Sequence, residues 1–203
     1  MTARRPIITL LTALAPALLL AQKAPEENAP KRTLDVTITG CPKDTIYLAN
    51  YYGNKLYYAD TAIADAKGRA LFKDEKGYKA GVYAVVAPGP KLFEVILNEP
   101  TIVVSTEKED LLGKLQVRTS KENEVFLAYI RFLNERKAEG DQLRAQQEAN
   151  KDPIAKAGIK AQMEDLDKRV KQYQRDLIAN NQGLLAADLV RMSMPVELPE
   201  PRK

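Results

Sequence analysis

The sequence predicts an α+β chain: an N-terminal antiparallel β-sandwich or partly open barrel, followed by a long helical hairpin. Three observations predict it. Between Thr33 and Thr119, apolar residues alternate with polar ones in about eight short runs, separated by turns of Gly, Pro, Asn or Asp. Near Thr119 the apolar period lengthens from two to about 3.6, the repeat of a helix. Asp152-Pro153 then divides the helical part in two.

The chain opens with MTARRPIITLLTALAPALLLAQK. Arg4 and Arg5 precede an apolar stretch from Ile7 to Leu20, which is the plan of a secretory signal peptide over 1–21, cut after Ala21. Pro6 and Pro16 interrupt a stretch already shorter than the ~20 residues that span a bilayer, so stable membrane insertion after cleavage is not expected. With no Cys beside the cut, lipid anchoring is not expected either. The expected location is the periplasm of a Gram-negative bacterium. Residues 22–32, QKAPEENAPKR, read as a disordered leader.

Composition narrows the functions. Hydrophobic residues make up 45% of 203, enough for one buried core. Removing 1–21 takes away two arginines and no acid, which lowers the formal charge from +4 to +2, too little for a nucleic-acid reader. There is no histidine, which excludes His-based triads, His general bases and His-ligated zinc. Cys41 is the only cysteine, so it has no partner for an intrachain disulfide and reads as a small side chain at a turn. Carboxylate chemistry is what remains.

Within 33–118 the strands are TLDVTIT, TIYLANYY, KLYYADTAIA, RALFKD, GVYAVVA, KLFEVIL, TIVVST and KLQVRT. The acidic stretch YYADTAIADAKGRALFKDE fails the calcium-loop pattern, because apolar residues fill the positions between Asp60 and Asp65 where oxygen ligands are needed. It reads instead as a hairpin, with Asp65 opening the turn and Gly68 supplying a positive φ. Asp60 and Glu94 are strand-interior acids expected on an outward or edge face. No metal site, cofactor or catalytic residue is expected.

Over 119–194 the sequence predicts two long helices and a short third. Thr119 and Glu122 have capping-box spacing, and Val125, Phe126, Tyr129, Ile130 and Leu133 follow at helical intervals. The second half of this helix carries few apolar residues beyond Leu143 and reads as a solvated arm. Asp152 caps the second helix, where Ile159, Met163, Leu166, Val170, Tyr173 and Leu177 step alternately by four and three. That seam is the candidate partner surface, open to weak self-association or to another domain. GLLAADLVRMS is the third helix, and residues 195–203 are an extended, Pro-rich connector.

VTITG, IYLANYYGNKLYYADTAIADAKGRALFK, GVYAVVAP, FEVILNE and SKENEVFLAYIRFLNE, in that order, resemble a domain of unknown function. It precedes thioredoxin-like modules in exported thiol:disulfide oxidoreductases of Gram-negative bacteria. LLAADLVRMSMPVELPEP resembles the link to a further domain in longer relatives. The resemblance spans roughly residues 33 to 200. It implies an exported location and a companion redox activity, in a downstream thioredoxin-like domain or a separate protein. It transfers no catalytic residue, since the chain has no Cys-x-x-Cys pair. The expected function is a non-catalytic periplasmic accessory module. The alternatives are a stand-alone binding or holdase-like protein and, third, a carboxylate hydrolase.

Overall fold

The computed structural model describes residues 31–53, 55–75, 77–89 and 91–195. The expected signal peptide over 1–21, most of the expected leader and residues 196–203 lie outside the described residues. Eight strands come first: β1 (Thr33–Thr39), β2 (Thr45–Tyr52), β3 (Lys55–Ile63), β4 (Arg69–Lys73), β5 (Gly81–Ala87), β6 (Lys91–Leu97), β7 (Thr101–Glu107) and β8 (Gln116–Thr119). Three helices follow: α1 (Lys121–Ala149), α2 (Pro153–Asn180) and α3 (Leu185–Ser193).

The strands form two four-stranded sheets, ordered β4-β1-β7-β8 and β3-β2-β5-β6. They pack face to face as an open sandwich. Period-two alternation decides which side chains meet: Leu34, Val36 and Ile38 of β1 face Ile46 and Leu48 of β2 across a core that also holds Phe72, Val85, Phe93 and Ile102. One pairing departs from the antiparallel expectation. β1 and β7 run parallel, from Thr33↔Thr101 to Thr39↔Glu107. They are the two central strands of their sheet, and the chain between them crosses to the opposite sheet and back twice, for β2–β3 and again for β5–β6, so no hairpin obliges them to run opposite ways.

The turn assigned to the acidic stretch is present, but it is not a hairpin: β3 and β4 belong to opposite sheets and do not pair, so the turn carries the chain from one layer of the sandwich to the other. Asp65 Oδ1 accepts from the backbone N–H groups of Lys67 at 2.7 Å and Arg69 at 3.0 Å. Gly68 closes the turn at φ +84°. Arg32, at the end of the expected disordered leader, is tied down: its guanidinium is buried and donates to the Tyr78 carbonyl at 2.5 Å.

At α1 the capping differs from the sequence expectation. Ser120, not Thr119, is the N-cap, and its Oγ accepts from Asn123 N–H at 3.0 Å. Glu99 completes the cap from another loop by accepting from Lys121 N–H at 2.9 Å and from the Ser120 hydroxyl. Glu122 is thereby freed. It is 1% exposed and reaches α3, accepting from Leu185 N–H at 2.9 Å and Ala186 N–H at 2.8 Å, with Asn98 donating at 2.7 Å. A carboxylate from one helix thus satisfies the first amides of another.

The near halves of α1 and α2, with α3, enclose a second core of Val125, Tyr129, Leu177, Ala186 and Val190 against Ile96 of β6. α2 is capped by Asp152 with Pro153 in the first turn, as its sequence predicts.

Candidate functional site

The partner seam on α2 is largely the inner face of the hairpin. Ile159, Leu166 and Leu177 are buried, while Met163, Val170 and Tyr173 are half-buried. The facing half of α1 covers more than its composition suggests, for two reasons. Leu166 packs against α1 at Gly140, where its Cδ2 lies at ordinary contact distance, 3.4 Å, from the position a Cβ would take. Phe132 stacks on Tyr173 with centroids 3.8 Å apart, and the Arg136 guanidinium lies over the Phe132 ring, 5.3 Å from its centroid. The second half of α1 packs along one narrow line, with Gly140 and Leu143 buried, and exposes most of its remaining residues, as its composition predicts.

The strand acids hold tyrosines. Tyr78 donates its hydroxyl to Asp60 Oδ2. Burial, with that bond second, holds the Tyr78 phenol well above its ordinary range. Tyr51 donates to Glu94 Oε1 at 2.6 Å, and burial followed by this bond pushes Tyr51 up to about 12. Cys41 is fully buried, and desolvation pushes its thiol up, away from the thiolate that nucleophilic chemistry requires. Among the described residues no cluster of three or more Asp, Glu or Cys side chains comes together to hold a metal, and no helix is long and apolar enough to cross a membrane.

Two features that sequence reading passed over stand out on the β3-β2-β5-β6 sheet. The first is an aromatic outer face. Leu48 points into the core, so Tyr47, Ala49 and Tyr51 point outward. Tyr58 stands opposite Ala49, Ala49 opposite Ala84, and Ala84 opposite Glu94, giving one row across four strands. The two alanines make a floor beneath the rings. Tyr47 and Tyr58 lie 4.6 Å apart at their centroids, and Tyr58 is 68% exposed. Past the sandwich the β2–β3 hairpin adds Tyr52 at 79% exposure, with Tyr57 edge-on to it. YYGNKLYY carried the signal: four tyrosines in eight residues exceed what one buried face can absorb.

The second feature is a cleft of about 180 Å³ on the open side of the sandwich, between β6, the β7–β8 connection and α1. Phe93, Val95, Val104, Leu115, Phe126 and Leu127 make it apolar, and Glu94 and Asn123 are its polar residues. Asn123 is engaged with the edge of β6. Its amide accepts from Ile96 N–H at 2.8 Å and donates to Ile96 C=O at 2.8 Å, taking the place of one residue of a neighbouring strand.

Comparison with known proteins places both features in one segment. Residues 33–126 match the family described as Domain of unknown function (DUF4369). The matched segment holds all eight strands, the tyrosine face and most of the cleft wall, and it ends in the first turns of α1. No curated protein matches the chain. Among solved structures the chain is similar to the crystal structure of (S)-allantoin synthase, with a TM-score of 0.29 and 13% identity, over 40% of this chain and 42% of that one. So distant a likeness carries no argument about this chain's activity.

Proposed function

We propose that the chain works by binding: it is a non-catalytic interaction module, exported to the periplasm, that serves thioredoxin-like thiol:disulfide oxidoreductases. The observation that carries the binding part is the exposed tyrosine face beside an apolar cleft, both largely within the matched segment. Tyrosine brings a large apolar area with few torsions to freeze and a hydroxyl at its tip, which is why it concentrates at recognition surfaces. The residues that could have supported chemistry are otherwise engaged, since Asp60 and Glu94 accept from tyrosines and Cys41 is buried without a second thiol. Export rests on the character of residues 1–21, and the redox context on the resemblance in order of elements.

Titrating the chain with a purified exported thioredoxin-like oxidoreductase tests this reading. Saturable binding that weakens about tenfold or more in Tyr58→Ser is expected, the loss of one well-placed aromatic contact. No binding at near-millimolar protein sinks the redox association. Insulin reduction above a Cys41→Ser control would instead make the chain an enzyme. The apolar cleft also favours a second reading, a stand-alone binding or holdase-like protein. That reading predicts capture of unfolded clients with no preference for the oxidoreductase.

A further inference from the structure

Each sheet edge of a sandwich offers unpaired backbone groups, and three of the four edges here are guarded. β4 has five residues and begins and ends in Arg69 and Lys73. β8 has four, with a register shift opposite Val103/Val104. β3 carries a bulge at Ala59, between the pairs Leu48↔Asp60 and Ala49↔Tyr58, and opens with Lys55. Shortness, charge and bulges are the usual means of keeping an edge from templating another strand. β6 also opens with a lysine, but Lys91 Nζ is turned to the Lys108 carbonyl at 3.3 Å, and the strand has seven residues that pair β5 without irregularity from Gly81↔Leu97 to Ala87↔Lys91.

The direction of its free groups follows from one pair of bonds. Ile96 gives both its N–H and its C=O to Asn123, so both point away from β5. In an antiparallel ladder that orientation repeats every second residue, so the N–H and C=O of Glu94 and Leu92 point the same way. Among the described residues no strand pairs with them on that side. They border the apolar cleft, which reaches past Phe93 and Val95 to the core.

We propose that this edge is a binding site for an extended peptide, which adds a short strand to β6 at Leu92–Glu94 and places one apolar side chain in the cleft. An acyl chain could fill the cavity, but it has no donors and acceptors at strand spacing. A polypeptide has both, and its alternating side chains suit a site with backbone along one wall and an apolar slot beneath it. Asn123 stops the added strand at Ile96. This assignment rests on the binding-module reading and names the ligand class of that module.

The probe is a short acetylated peptide amide alternating valine with threonine and lysine, added to the folded chain and followed through backbone amide resonances. Saturable shifts and slowed hydrogen exchange at Leu92 and Glu94 are expected. N-methylating the peptide along one edge should weaken binding about tenfold or more, the loss of roughly one net hydrogen bond or more, while methylating the other edge leaves it unchanged. Glu94→Pro removes an outward N–H that β5 does not use and should lose the peptide; Glu94→Ala keeps that N–H and should retain it. Equal loss from both methylated peptides overturns the strand geometry. Saturation of the cleft by decanoate without peptide binding overturns the ligand class. If the peptide fails while the oxidoreductase binds, the strand site falls and the module reading stands; if both fail, both fall.

Discussion

Gly68 closes the turn between β3 and β4 with φ at +84°, and its missing side chain is as important as its backbone angle. A Cβ there would stand 2.1 Å from the carbonyl oxygen of Ile38, the atom just before the β1–β2 turn. Backbone cannot yield as a side chain end can. Gly68→Ala should therefore cost about 2–3 kcal/mol, read as a shift of the denaturation midpoint, and a near-neutral result would refute the packing. Tyr51 makes a second residue-scale prediction. Its folded pKa is about 12, above an ordinary 10.0, so the stability it contributes is fully present below pH 10 and is lost as pH rises through 12. Denaturant melts should be flat up to that window and then decline. Glu94→Gln should let Tyr51 ionise earlier in an ultraviolet titration but leave part of the rise, because burial is its larger cause.

At the scale of elements, periodicity made the strands readable almost residue by residue, since alternation over four to nine residues reports which face is buried. Capping was only half readable. Thr119 and Glu122 have the right spacing, yet Ser120 and Glu99 do the work, because a loop brought close by the fold supplies an acceptor that no local spacing reveals. The consequence is that Glu122 links α1 to α3. Glu122→Ala leaves two helix amides and the Asn98 amide without their acceptor, and should cost about 3 kcal/mol with faster hydrogen exchange confined first to α3. Glu122→Gln keeps one carbonyl acceptor and should lose less. If α3 exchanges no faster in either variant, the link is not what holds it.

At the scale of the molecule, composition settled that the chain has a core but not how the core is divided. The candidate site was hidden for the same reason. The tyrosines of β2 and β3 are plain in sequence, but the row they form with Ala84 and Glu94 exists only once β5 and β6 pair beside them. The helical hairpin shows the division most directly. Its near half belongs to the core around Ile96, whereas its far half has its own small cluster of Leu143, Ile159 and Leu166, joined by Met163 and Val170. At about 1.5 Å per residue, helices of 29 and 28 residues extend some 40 Å, so the tip lies well beyond the sandwich. The interhelical Arg169–Glu139 pair is more than a third exposed on both sides and adds little. Leu166 is the centre of what remains. Burying a carboxylate in its place costs about 3 kcal/mol or more, comparable to all the apolar contact the far half can muster. Leu166→Asp should therefore open the tip alone: part of the helical circular dichroism disappears and protease cuts between residues 135 and 165. Exchange protection at Val85, Val95 and Val104, in the sandwich core, should be unchanged. Cooperative loss of protection throughout would mean that arm and sandwich are a single folding unit, and an unaltered tip would mean that the far cluster does not hold the hairpin together.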